Sequence, residues 1–279
     1  MKPTISIILP AIRKDNWDAL YDSISLACKK HSFEVIFCGP LSLTEKLQSL
    51  PNVKYVKDLG SPTRASNIAC LMAEGELLTW IADDGVMIED SLDKNIELLR
   101  SMGSDVKNVV VVKYYEGNDS SKKNLQQDSY FYLGNTCLRS RYVNPLWLMY
   151  NNPIMYRAFY DKIGGLDCSF QSCPMAHIDF GIKCQFFGAN TKLSEFYYLD
   201  VGHMENTTGD HKPIHISQKN FDEPLLFERY NTPNWPDAVK IFKSDSWKEF
   251  PSIWTLRFKN GVPKDYQTIL KENDAYETP

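Results

Sequence analysis

Short apolar runs alternate with helix-length amphipathic segments over residues 5–115, and nearly every run stops at a turn-forming residue. The run 5–9 (Ile-Ser-Ile-Ile-Leu) ends at Pro10, and its near-continuous apolar character predicts a strand covered on both faces. Trp17, Leu20, Ile24 and Ala27 follow at helical spacing, with Asp15 or Asn16 available as cap. A second run, 34–38, is closed by Gly39-Pro40. Ser42-Leu-Thr-Glu45 has the form of a capping box opening a short helix. Residues 53–56 predict a third strand. Ser61-Pro62 then supplies a cap and a proline at the first helical position, and Gly75 is the expected stop. The apolar run 76–82 leads directly into Asp83-Asp84-Gly85, and a helix over 92–102 with a valine-rich strand over 108–115 completes the series. Such alternation predicts an α/β fold, a mainly parallel sheet flanked by helices.

The second half is less regular. Residues 117–127 are polar and predict a loop, whereas 130–160 are crowded with Tyr, Asn, Leu and Trp. A helix is expected around 176–187 and a strand over 196–199. Beyond Lys212 the pattern is interrupted by Pro213, Pro224, Pro233, Pro236 and Pro251. The division expected is therefore 1–211 as the main domain and 212–279 as a C-terminal extension packing on it.

At 279 residues, with 43% hydrophobic and 24% charged side chains, the chain can bury a core without disulfides or metals. Thirty-one Lys+Arg against 35 Asp+Glu leave a net charge of −4, which argues against a partner that is nucleic acid. No run approaches the roughly 20 apolar residues needed to span a bilayer, so no transmembrane segment is expected. Seven scattered cysteines fit reduced thiols, and a cytoplasmic location is the expectation.

Three groups of residues carry chemistry. Asp83 and Asp84 sit at the end of a buried strand, where open α/β sheets place their ligands. Two desolvated carboxylates there call for a cation or for donors, Mg²⁺ or Mn²⁺ being suited to oxygen ligands; Asp-Gly is also a common turn. Asp58-Leu-Gly-Ser-Pro-Thr-Arg64-Ala-Ser-Asn67 puts Arg64 and Asn67 on one helix face near an N-terminus that favours anions; its plainer reading is a capped helix with a solvated arginine. Asp179 lies among Ile178, Phe180 and Ile182, surroundings that raise a carboxyl pKa towards a general base's range, although an acid in a first helical turn also suits the dipole. Cys168, Cys173, His177 and Cys184 are too irregularly spaced to read as a zinc cluster.

In order and spacing, these segments resemble the family 2 glycosyltransferases of the GT-A fold over roughly residues 4–205. The likeness rests on the Asp58…Arg64 segment, on Gly75-Glu76-Leu-Leu-Thr-Trp-Ile-Ala-Asp83-Asp84, and on Ile163-Gly-Gly-Leu-Asp167 followed by His177-Ile-Asp179. The resemblance implies that Pro10, Asp58, Arg64, Asn67 and Asp83 line a nucleotide-sugar pocket. It further implies that Asp84 and a later histidine, His203 with His211 and His215 as rivals, hold the metal, and that Asp179 is the base. Departures from the pattern are Ala82, in place of the first aspartate of the metal motif, Gly39-Pro40, in place of a carboxylate, and Ile178, in place of a glutamate.

What the resemblance implies is metal-dependent, inverting transfer of a sugar from a nucleotide-sugar, UDP being the expected nucleotide, to a hydroxyl of a glycan or other acceptor. Residues 131–160 are expected to meet that acceptor. A nucleotidyltransferase would carry a glycine-rich loop where this chain has Pro10-Ala-Ile-Arg13. A non-catalytic binding module with the same fold is the other alternative, favoured by Ala82 and Gly39.

Overall fold

The structure is a computed structural model that describes residues 2–116, 125–128, 149–201, 211–243 and 245–260. Its first half follows the alternation: β1 (Ile5–Pro10), α1 (Trp17–Ala27), β2 (Phe33–Gly39), α2 (Glu45–Gln48), β3 (Val53–Lys57), α3 (Pro62–Leu71), β4 (Leu77–Trp80), β5 (Gly85–Met87), α4 (Ser91–Ser101) and β6 (Asn108–Glu116). After these come β7 (Leu125–Asp128), β8 (Pro153–Tyr156), α5 (Arg157–Lys162), α6 (Cys173–Phe186) and β9 (Asn190–Val201). The C-terminal part contributes α7 (Lys212–Ser217), α8 (Glu223–Tyr230) and α9 (Thr255–Asn260), with a π-helical turn over Gln218–Asp222 joining the first two.

One mixed sheet runs in the order β3-β2-β1-β4-β8-β6-β9-β5, with β7 beside β6. β1 to β4 are mutually parallel, β8 reverses, and β6 and β9 return to the first direction, so six of the nine strands described point the same way. The chain leaves β1 towards β2 and β3 and then crosses back to β4 on the other side. The carboxyl ends of β1 and β4 therefore flank a switch point, the usual position of a ligand crevice in such sheets.

Strand residues alternate between two cores. Ile8, Ile36, Leu78, Trp80 and Val109 face one cluster with α3, α6 and α8 residues; Ile7, Val35, Phe37, Leu77 and Val110 face the other with α1 and α4. Both faces are thus covered, which is why these strands read as apolar runs rather than as alternations.

Two local expectations are corrected. The cap of α2 is Thr44, whose hydroxyl accepts from the Leu47 amide, and not Ser42. α3 stops at Leu71, before Gly75; a Cβ on Gly75 would lie 2.6 Å from the Ser6 amide nitrogen, so this glycine serves close packing on β1. Ser61 caps α3 as expected, accepting from the Arg64 amide at 3.2 Å.

The expected loop 117–127 ends in a strand, since Leu125–Gln127 belong to β7 and pair with β6; residues 117–124 lie outside the described residues. Prolines 213, 224 and 236 do not break helices, because each stands in a first turn, where its missing N–H costs nothing. Of the aromatics in 131–160, Tyr150 and Tyr160 are buried in the core cluster, and 131–148 lie outside the described residues.

Candidate active site

A small cleft at the carboxyl ends of β1 and β2 is lined by Pro10, Gly39, Asp58, Gly60, Ala65 and, from α9, Arg257. Gly39 stands where the resemblance led us to expect a carboxylate. A Cβ there would lie 1.8 Å from the Ala11 carbonyl oxygen, so the close approach of the two chain segments excludes any side chain.

Asp58 forms the floor of this region. Its carboxylate accepts from the Gly60 amide at 3.0 Å and from Arg64 Nε at 3.1 Å. Burial nonetheless holds its pKa above the ordinary carboxylate value, against the opposing pull of Arg64. The rest of the Arg64 guanidinium is turned to the C-terminal segment: Nη1 donates to the Trp247 carbonyl at 2.5 Å and the Phe250 carbonyl at 3.1 Å, and the group stacks over the Trp247 ring. Arg64 is thus not a solvated arginine; it fastens residues 247–250 over the start of α3. Leu59 and Ile253 form a parallel bridge beside it. Asn67 points inward, its amide donating to Leu166 O and its oxygen accepting from the Tyr160 hydroxyl. Neither Arg64 nor Asn67 lines the cleft.

Asp83 and Asp84 occupy the turn between β4 and β5. Asp83 is 1% exposed and accepts four hydrogen bonds: from the Ile12 and Arg13 amides at 2.6 Å each, from Trp17 Nε1 at 3.1 Å, and from Arg13 Nη1 at 2.5 Å. This carboxylate clamps the segment after β1 to the end of β4. Asp84 Oδ2 lies 3.6 Å from Arg13 Nη2, which also contacts His211 Nε2 at 3.3 Å. A guanidinium has no acceptor, so His211 Nε2 accepts through its lone pair. His203 lies outside the described residues. Among those described, no three His, Cys, Asp or Glu side chains are placed to hold a metal. A two-ligand site still suits Mg²⁺ or Mn²⁺, which bind through one or two carboxylates together with substrate phosphates. Asp84 Oδ2 and His211 Nε2, both turned to one cationic nitrogen, fit that pattern with the guanidinium as stand-in.

α6 brings two groups with opposite surroundings. His177 stacks on Trp80, centroids 5.4 Å apart, with Nδ1–H donating to Asn151 Oδ1 at 3.1 Å and Nε2 buried without a hydrogen-bond partner among the described residues. Asp179 does not line the cleft. Its Oδ1 accepts from the Tyr230 hydroxyl at 2.5 Å, with Arg229 Nη1 at 3.7 Å; Oδ2 lies 3.6 Å from Lys183 Nζ and receives no hydrogen bond from the described residues. Asp167, paired with Arg229, completes a buried cluster of two carboxylates and two cations. Burial raises the Asp179 pKa, as the sequence led us to expect, and Lys183 opposes the shift. Cys168, Cys173 and Cys184 are unpaired thiols, and Cys168 contacts Asn67.

Burial lowers the His177 pKa from 6.5 to about 3, so the folded chain keeps this ring neutral where the unfolded chain protonates it. Its contribution is complete above pH 6.5 and is lost as the pH falls towards 3. Asp58, Asp179 and Asp222, with raised values, act in the opposite sense. Comparison with a variant isolates the histidine. Between pH 6.5 and 4.5 the parent chain is expected to lose about 2–3 kcal/mol more unfolding free energy than His177→Gln. Urea unfolding of both chains at the two pH values measures this, and parallel losses would refute it.

Solved structures share this fold. S. aureus TarS 1–349 in complex with UDP-GlcNAc aligns over 88% of this chain and 75% of its own, at 18% identity and a TM-score of 0.54. The complex of TarS 1–349 with UDP aligns over 95% and 82%, at 17% identity and 0.53. The fold is the one TarS has. In a further TarS 1–349 structure the match covers 78% of this chain and 66% of that one, at 19% identity and a TM-score of 0.53, and the chain spans 55% of a longer TarS structure. No family model matches the sequence, and no curated protein is similar to it at the sequence level.

Proposed function

We propose that this protein transfers a glycosyl group from a UDP-sugar to a hydroxyl of an acceptor. The observation that carries this reading is the carboxyl edge of the parallel strands, which holds both the cleft over β1 and β2, with Asp58 in its floor, and the Asp83–Asp84 turn after β4. It stands on the fold of a glycosyltransferase, TarS, whose structures hold UDP and UDP-GlcNAc. A diphosphate bound at the carboxyl ends of the parallel strands would lie near that turn. Asp83 orients the segment after β1. Asp84 and His211 would hold a divalent cation together with the diphosphate, and that cation would supply charge neutralisation for the leaving group.

In this reading Asp179 takes the proton of the acceptor hydroxyl through Oδ2, its oxygen without a donor, as the sugar carbon is attacked from the face opposite the leaving diphosphate. Asp179 is 2% exposed, so in this reading the acceptor reaches Oδ2 only once the side chains around it have moved.

Calorimetry with UDP and a panel of nucleotide-sugars, with and without Mn²⁺, tests the donor. UDP is expected to bind with Mn²⁺ present and one UDP-sugar to be slowly hydrolysed. Flat titrations across the whole panel would reject the reading.

A further inference from the structure

The most informative group at this site is Arg13. Its amide and its Nη1 both bind Asp83, which is held in turn by Ile12 and Trp17, so the base of this side chain is anchored. Its other arm reaches the two atoms with metal-ligand chemistry: Nη2 is 3.3 Å from His211 Nε2 and 3.6 Å from Asp84 Oδ2. These contacts are longer than the 2.5 Å pair with Asp83 and are the ones most easily exchanged. Asp83 and Asp84 both meet this one guanidinium, so an anionic diphosphate enters beside two carboxylates and gains from a cation that it brings with it.

We propose that Arg13 holds the cation position of the donor-free chain and so makes divalent-cation binding depend on the nucleotide. The inference rests on the transferase reading and deepens it. Without nucleotide, the Nη2 arm occupies the space between Asp84 and His211, and a lone Mn²⁺ must displace a guanidinium that Asp83 keeps in place. With nucleotide, phosphate oxygens offer Nη2 new acceptors, and Asp84 Oδ2 and His211 Nε2 are surrendered to the incoming ion. Arg13 keeps its bond to Asp83 throughout and ends as a contact for the diphosphate. No bond is made or broken in this exchange apart from hydrogen bonds and coordination.

Mn²⁺ titration followed by electron paramagnetic resonance reads the coupling directly, without turnover. The donor-free parent chain is expected to bind Mn²⁺ weakly, and UDP to tighten that binding. Arg13→Gln is expected to bind Mn²⁺ without UDP about tenfold more tightly than the parent, since a competing positive charge within 4 Å has gone. Arg13→Lys, which keeps the charge near Asp83, should stay within a few-fold of the parent. Thermal melts check that both variants are folded. Donor-free affinities that are equal in the parent and Arg13→Gln overturn the inference, as does an Arg13→Lys chain that binds Mn²⁺ as tightly as Arg13→Gln. If Arg13→Gln does not fold, a donor-free parent that binds Mn²⁺ no more weakly than it does with UDP overturns it. In either case UDP binding leaves the transferase reading standing. Absence of UDP binding under every condition rejects the transferase reading, whereas the donor-free titrations still decide whether Arg13 guards the cation position.

Discussion

Asp83→Ala is expected to lower the unfolding free energy by about 3–5 kcal/mol, the usual cost of removing one partner from a buried charged pair. Three N–H donors converge on this carboxylate besides the Arg13 guanidinium, and Asp83 and Trp17 are fully or almost fully buried. Alanine offers them no acceptor, and each orphaned buried donor costs on the order of 1–3 kcal/mol. The segment after β1 would also lose its tie to the end of β4, so damage should centre on residues 11–17. Guanidinium unfolding checks the value: the midpoint should fall with little change in slope. A loss below about 1 kcal/mol would mean that water replaces the carboxylate and that the clamp contributes little. The two adjacent aspartates thus have separate duties, Asp83 holding the chain and Asp84 facing the cation in the proposed reading.

Asp179→Asn is expected to reduce glycosyl transfer by about 10²–10⁴-fold, the usual contribution of a positioned general base. UDP affinity should be preserved, because the cleft is lined by other elements. Asparagine keeps an oxygen for the Tyr230 hydroxyl but removes the charge that Lys183 and Arg229 share with Asp167. Some loss of stability is therefore expected as well, and turnover has to be expressed per UDP-binding site. Turnover within tenfold of the parent would take the proton-accepting role away from Asp179. The residue would then be a buried strut between α6 and α8, the role its hydrogen bond to Tyr230 already gives it.

Much of the fold was legible because its signals are local. β1, β2 and β4 announced themselves as apolar runs, since helices cover both faces of the sheet there, and Ser61-Pro62 marked the start of α3 to the residue. The signal failed where a choice depends on packing. Ser42 and Thr44 are equally good caps by composition, and only the path of the chain selected Thr44. Gly75 looked like a helix stop but is required by the proximity of Ser6. The tail tryptophans likewise depend on packing: Trp247 lies on Arg64, and Trp254 is buried with Nε1 donating to Gln171 Oε1.

At the site, Asp58, Asp83, Asp84 and Asp179 were recognisable as chemistry-bearing residues from their neighbours alone, yet their partners were not. Arg13 meets His211 across 198 residues, Arg64 meets Trp247 across 183, and Asp179 meets Tyr230 across 51. By itself the sequence determined the element order from β1 to β4, the two-faced burial of the central strands and the acids at the carboxyl edge of the sheet, because periodicity, caps and apolar runs act over a few residues. Tertiary structure alone decided which cation answers each acid. A buried charge takes whichever opposite charge the closed chain brings within about 4 Å, and no local pattern encodes that meeting.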